Sequence, residues 1–121
     1  MRVARRIVVS GVSDAKEVAE LLLSIAEGTG ARGFQYRELG GGALEVLLDG
    51  EDGLAEDMVA LISEIWPGSK AYSEEYKGKV MELELFKRVL YTREHPEESL
   101  RRRLEGRGRR ADIHIRKDKN F

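Results

Sequence analysis

Residues 33–50 read GFQYRELGGGALEVLLDG, and this stretch decides the fold. Its two halves are rich in strand-forming residues, and the three glycines Gly40–Gly42 between them indicate a turn. In the second half Leu44, Val46 and Leu48 alternate along the chain, so they share one face of a strand. The stretch therefore predicts two adjacent strands with one buried face.

The elements on either side of this pair alternate between strands and helices. Ser13 is a good N-cap for a first helix that Gly28 ends, and Pro67 ends a second helix. Both helices carry apolar residues at helical spacing, in the first Val18, Leu21, Leu22 and Ile25, and in the second Leu54, Met58, Leu61, Ile62 and Ile65. The predicted segments are a strand at about 4–10, a helix at 13–28, strands at 33–39 and 41–50, a helix at 53–68 and a strand at 69–76.

The order βαββαβ predicts an α+β protein of the ferredoxin-like type, with a four-stranded antiparallel sheet and two helices on one of its faces. At 121 residues the chain is most simply a single domain, 1–121. Within it we expect a ferredoxin-like core at 1–77 and a C-terminal extension with a basic end at 78–121.

The extension is predicted to be a β-α-β unit. Residues 79–86, KVMELELF, alternate at Met81, Leu83 and Leu85 and favour a strand, although a helix with Met81, Leu85 and Val89 in one stripe is the alternative. Residues 95–106 begin a helix with a proline followed by two glutamates, and ADIHIRK at 111–117 predicts a last strand.

The middle of the chain resembles the acylphosphatase family over about residues 6–76. AEGTGARGFQYR matches that family's A-x-x-x-G-x-x-G-W-V-x-N pattern at Ala26, Gly30, Gly33 and Phe34. The match continues at Glu45, Val46 and Gly50, and then at Pro67, Gly68 and Ser69. The resemblance implies the ferredoxin-like fold, because that family has it.

The residues at two positions argue against the catalytic activity of this family. The arginine of its phosphate-binding loop falls near Ala19, inside the predicted first helix, and its water-orienting asparagine falls on Arg37. A phosphoryl site needs converging backbone N–H groups and a fixed cation, and the first loop shows neither. We therefore expect no catalytic residues, no cofactor and no small-molecule substrate.

Composition excludes several classes of protein. The chain has no cysteine, so disulfides, thiolate metal sites and thiol catalysis are absent. No apolar run approaches the roughly 20 residues that span a bilayer, and the first apolar run is too short for a signal peptide. We expect a cytoplasmic protein without a membrane partner. Charged residues make up 36% of the chain, which is typical of hyperthermophile proteins and suggests a hyperthermophilic archaeal source.

Charge is strongly separated along the chain. Residues 101–121 hold nine basic and three acidic residues, whereas 1–100 hold 12 basic and 19 acidic ones. Between Glu38 and Ser69 there are eight acidic residues and no lysine or arginine. Such separation favours association, so the leading hypothesis is a non-catalytic domain that forms a homo-oligomer or binds a protein partner. Its basic C-terminal segment would contact an acidic surface.

The alternative hypothesis is binding of single-stranded RNA. The arginines that would contact phosphates are Arg101, Arg102, Arg103, Arg107, Arg109 and Arg110. Phe34 and Tyr36 match part of the RNA-recognition pattern [KR]-G-[FY]-[GA]-F and would offer rings for base stacking, although such a pair is more often part of a core. A hydrolase of the acylphosphatase type is the second alternative. Asp49, Glu51 and Asp52 lack the spacing of a calcium loop, so we expect no metal site.

Overall fold

The computed structural model describes residues 2–98 and 100–105. Seven elements have defined bounds, four strands and three helices. The strands are β1 Arg2–Ser10, β2 Gly33–Gly40, β3 Ala43–Glu51 and β4 Lys70–Glu75, and the helices are α1 Ala15–Gly28, α2 Leu54–Ile65 and α3 Leu83–Glu94. Residues 96–98 and 100–105 are also helical.

The four strands form one antiparallel sheet in the order β2-β3-β1-β4. β1 lies between β3 and β4 and is antiparallel to both, and β2 pairs antiparallel with β3. This is the arrangement of the split βαβ plan, so the predicted α+β fold of the ferredoxin-like type is confirmed.

The turn between β2 and β3 depends on its glycines. Gly40, Gly41 and Gly42 all have positive φ angles, which residues with a side chain rarely adopt. A Cβ atom at Gly42 would also collide with the carbonyl oxygen of Val12, whose N–H donates to the Gly42 carbonyl at 3.3 Å. The third glycine therefore lets the hairpin pack against the loop that precedes α1.

One face of the sheet, the inner face, forms the core with α1 and α2. Leu44, Val46 and Leu48 lie on it and are buried, as the alternation predicts. A Cβ atom at Gly50 on the same face would lie near both Leu54 of α2 and Ala31 after α1, which places both helices on this side. Leu47 on the opposite, outer face is also buried.

The two core helices form with small differences from the prediction. Asp14, not Ser13, is the N-cap of α1, and its carboxylate accepts hydrogen bonds from the N–H groups of Lys16 and Glu17. A carboxylate at a helix start also interacts favourably with the helix dipole. In each predicted stripe some residues are only half-buried, and in α2 Ile65 is exposed at the last turn.

Residues 83–86 are helical, so the strand predicted at 79–86 is wrong there and the helical alternative is correct. Residues 81–83 form backbone hydrogen bonds at the start of β2: the Phe34 N–H donates to the Met81 carbonyl, and the Leu83 N–H donates to the carbonyl of Arg32, just before β2. α3 then begins and buries Leu83 and Phe86. Residues three apart share a helix face but lie on opposite faces of a strand, so the helix brings both side chains to the same buried side.

The chain divides into two compact units, the first ending at Phe86 and the second beginning at Lys87. The boundary therefore lies nine residues after the predicted limit of the core at residue 77. In the second unit the predicted helix at 95–106 is present at residues 96–98 and 100–105. The strand predicted at 111–117 lies outside the described residues.

Candidate functional site

The two aromatic residues predicted to stack on RNA bases belong to the core. Phe34 is fully buried and Tyr36 is 8% exposed. Their rings pack edge-to-face against each other, and both contact the ring of Phe86, with centroids 5.9 and 5.2 Å away. Neither ring offers a face to a base, so the stacking role proposed for them is wrong. They lie on the inner face of β2 because they alternate in register with Leu48 and Val46 of β3.

The predicted arginines lie in the second unit. Arg101, Arg102 and Arg103 are exposed on consecutive positions of the helical segment 100–105. Arg102 pairs with Glu98 at 3.3 Å and lies over the ring of Tyr91, 5.6 Å from its centroid. Arg107, Arg109 and Arg110 lie outside the described residues. Arg101 and Arg103 are exposed as well, and the charge of Arg101 helps to lower the pKa of Glu98.

Tyr91 organises the side chains around Arg102. Its hydroxyl donates a hydrogen bond to the carboxylate of Glu98, and its ring lies 4.3 Å from that of His95, centroid to centroid. The hydrogen bond raises the pKa of Tyr91 and lowers the pKa of Glu98. This cluster joins the end of α3 to the next helical segment.

The outer face of the sheet carries an ion-pair cluster that the sequence did not reveal, formed by Arg6, Arg37, Glu45 and Glu74. Arg6 donates from Nε to Glu45 at 2.7 Å and from Nη1 to Glu74 at 2.6 Å. Arg37 donates from Nε to the other oxygen of Glu45 at 2.8 Å. These residues come from all four strands, so they link the sheet from edge to edge. Finding them from sequence would have required the strand register.

Electrostatics in this cluster favour the charged forms. Hydrogen bonds from Arg6 and then Arg37 hold the pKa of Glu45 below its usual range, and Glu45 and Glu74 raise the pKa of Arg6. The side chain of Glu45 is only 13% exposed, so solvent screens its pairs less than those of a surface carboxylate. The cluster links the four strands and holds Glu45 in its charged form.

A cleft of about 460 Å³ opens on the other side of the sheet, near the start of α2. It is lined by Ala4, Arg5, Asp52, Glu56, Glu75 and Tyr76. Arg5 pairs with Glu56 at 2.9 Å, and the hydroxyl of Ser73 donates to the same carboxylate at 2.8 Å. The cleft is therefore lined by one arginine and three carboxylates.

The chemistry of this cleft argues against a nucleophilic serine. The hydrogen bond from Ser73 is the main reason that the pKa of Glu56 is lowered, and Arg5 acts in the same direction. A carboxylate with a lowered pKa is a weak proton acceptor, so it does not activate the Ser73 hydroxyl at neutral pH. Among residues 2–98 and 100–105, no three acidic or histidine side chains are grouped in a way that could hold a metal ion.

Both positions that matter for acylphosphatase activity have structural roles. Ala19 is fully buried in α1. Arg37 is engaged with Glu45 on the outer face. The loop before α1 provides the Asp14 carboxylate, which accepts hydrogen bonds from the N–H groups at the start of the helix. A bound phosphate would need the same N–H groups.

Net charge changes sign at the boundary between the two units. Residues 1–86 hold nine basic and 16 acidic residues, a net charge of −7, and residues 87–121 hold 12 basic and six acidic residues, a net charge of +6. The charge separation seen in the sequence thus coincides with a structural division.

No protein-family model matches the chain, and no curated protein is significantly similar to it. None of the helices in the described ranges combines the length and the apolar character needed to cross a membrane.

Proposed function

We propose that this chain is a non-catalytic binding module that works by assembly, in which the basic second unit docks on the acidic first unit of another protomer or on an acidic partner protein. The observation that carries the proposal is the change of net charge from −7 to +6 at the unit boundary. Opposite charges on separate compact units attract and orient approaching molecules. The net charge of the whole chain is close to zero, which limits repulsion between copies.

The first unit is acidic at its helical surface. Arg5, Arg6 and Arg37 are committed to carboxylates of their own unit. Exposed acidic residues lie along both core helices: Glu17, Glu20, Asp57 and Glu64. This arrangement supports the helical side of the sheet as the surface that a basic unit would contact.

A soluble cytoplasmic setting and a hyperthermophilic source belong to the same proposal. High charge content supports the hyperthermophilic source, because the desolvation cost of ion pairs falls as temperature rises and networks of such pairs then stabilise the fold. The outer-face cluster that joins all four strands is a network of this kind.

The experiment compares two double variants that remove the same charge. Arg101→Ser/Arg103→Ser lowers the net charge of the second unit from +6 to +4, and Lys77→Ser/Lys79→Ser is the control in the first. Sedimentation velocity at low and high salt would measure assembly. We expect the arginine variant to weaken assembly at low salt at least tenfold more than the control, and added salt to abolish the difference. A monomer under all conditions, or equal effects of both variants, would contradict the proposal.

Single-stranded RNA is the second candidate partner, because the +6 second unit also suits phosphate contacts. With Phe34 and Tyr36 buried, such binding would be electrostatic and largely independent of base sequence. Fluorescence anisotropy with labelled oligouridine and oligoadenosine would test it. Equal affinities that fall steeply with salt would support RNA binding, and no anisotropy change at low salt would exclude it.

A further inference from the structure

β4 is an edge strand of the sheet. Among the described residues, β1 alone pairs with it. It forms a ladder with β1 through Lys70–Glu75, and the strand order ends with it. An edge strand presents a row of free N–H and C=O groups to any other strand of matching length. Tyr72, in the middle of β4, is 51% exposed on the outer face.

The register with β1 shows which backbone groups of β4 point outward. The Tyr76 N–H donates to the Ala4 carbonyl at 3.2 Å, so this pair exchanges hydrogen bonds towards β1. Such pairs alternate in an antiparallel ladder, so Tyr72 and Glu74 also bond to β1. Ala71 and Ser73 therefore direct their N–H and C=O groups away from the sheet.

We propose that two copies of this chain pair antiparallel through β4, with Tyr72 of one copy opposite Tyr72 of the other. In this register Ala71 of each copy lies opposite Ser73 of the other, so their outward N–H and C=O groups form about four hydrogen bonds. Tyr72 then occupies a pair without backbone hydrogen bonds, where facing side chains approach most closely. The result is a continuous sheet of eight strands with two-fold symmetry.

Charge complementarity selects this register. It places Lys70 of each copy opposite Glu74 of the other, twice by symmetry, on the same face as the tyrosines. Glu74 already accepts from Arg6 at 2.6 Å, so the lysine of the second copy extends the outer-face cluster across the interface. A shift by two residues would place Tyr72 opposite Glu74 in one direction or opposite Lys70 in the other, and either shift would separate both Lys70–Glu74 pairs.

This inference goes beyond the proposed function, since it uses neither the second unit nor the acidic helical surface. The two are distinguished by their variants. Arg101→Ser/Arg103→Ser leaves the β4 pairing intact, whereas changes in β4 leave the charge of the second unit unchanged.

The test uses the absence of cysteine in the chain. Tyr72→Cys introduces one thiol on the proposed two-fold axis, where Cβ atoms about 4.5–5.5 Å apart come close enough for a disulfide. Lys70→Cys is the control, because its two copies would lie about 13 Å apart along the strands. With oxidised glutathione we expect at least tenfold faster formation of covalent dimer for Tyr72→Cys, measured by non-reducing electrophoresis. Equal rates would overturn the proposal.

A charge exchange checks the register without cysteine. Lys70→Glu places two acidic residues opposite each other and should shift the protein to monomer in sedimentation equilibrium. Lys77→Glu, which makes the same charge change outside β4, should leave the dimer unaffected. Loss of dimer in the Lys77→Glu control, or no loss in Lys70→Glu, would overturn the proposal.

Discussion

The Glu45 carboxylate joins arginines from two strands, since one of its oxygens accepts from Arg6 and the other from Arg37. Its position on β3, opposite Val8 of β1 and Arg37 of β2, makes it the centre of the outer-face cluster. Removing its charge would leave Arg37 without this partner and would weaken the hold on Arg6.

Glu45→Gln tests this role through pH. Because the folded pKa of Glu45 is lowered, its contribution to stability is complete above the unfolded value of about 4.3 and is lost as pH falls through the folded value. We expect the substitution to lower the free energy of unfolding by about 1–2 kcal/mol at pH 7, with the difference shrinking towards acid. Urea unfolding between pH 7 and pH 2 would measure it.

Glu38→Gln is the matched control for that experiment. Glu38 is an exposed carboxylate on β2, and surface substitutions of this kind usually change stability by less than about 0.5 kcal/mol. If both variants showed the same pH dependence, the Glu45 cluster would not be the source of the acid sensitivity.

At the scale of elements, α3 shows where local pattern and tertiary structure disagree. Alternation at Met81, Leu83 and Leu85 favours a strand, yet Leu85 is 45% exposed while Phe86 is buried against two aromatic rings. The backbone pairing with the start of β2 is short and involves residues 81–83. The hydrophobic contact of Phe86 then outweighs the alternating pattern.

Phe86→Ala and Leu85→Ala measure this difference directly. The first should lower the free energy of unfolding by about 3–5 kcal/mol, because it leaves a cavity beside Phe34 and Tyr36. The second removes an exposed side chain and should change stability by less than about 0.5 kcal/mol. Thermal unfolding followed by circular dichroism would compare them, and a larger effect at Leu85 would contradict the helical arrangement.

Residues 4–76 could be predicted from sequence because each element there has local signals. Leu44, Val46 and Leu48 reveal the buried face of β3 by alternation alone, and glycines mark the turns. The burial of Phe34 and Tyr36 does not follow from a local pattern, because the face of the sheet on which they lie is set by the register of β2 with β3. The Arg6–Glu45 pair joins residues 39 positions apart, so no local pattern reveals it.

At the scale of the whole molecule, charge and edge pairing offer two separate routes to association. One depends on net charges of opposite sign in the two units and weakens with salt. The other depends on backbone hydrogen bonds of β4, on Tyr72 and on the Lys70–Glu74 pairs between copies, so salt weakens only part of it. A chain that uses both would form dimers that associate further at low ionic strength.

Pairing through β4 should make thermal stability depend on protein concentration. A partner that binds only the folded chain raises the unfolding midpoint as its concentration rises. We expect the midpoint of the wild-type protein to rise by a few degrees over a hundredfold increase in concentration, and that of Lys70→Glu to stay constant. Differential scanning calorimetry of both proteins in the Arg101→Ser/Arg103→Ser background reduces the contribution of charge-driven association, and identical behaviour of the two proteins would contradict the pairing.

The two outer strands of the sheet differ in their capacity to accept another strand. The start of β2 is occupied by residues 81–83, and its other end carries an irregularity between Glu38 and Gly40. Both features hinder the pairing of another strand with β2, and β4 has neither of them. If β4 pairs with a second copy while the start of β2 is occupied, growth by strand pairing would stop at two molecules, so the same pairing would also protect the protein from growing into fibrils.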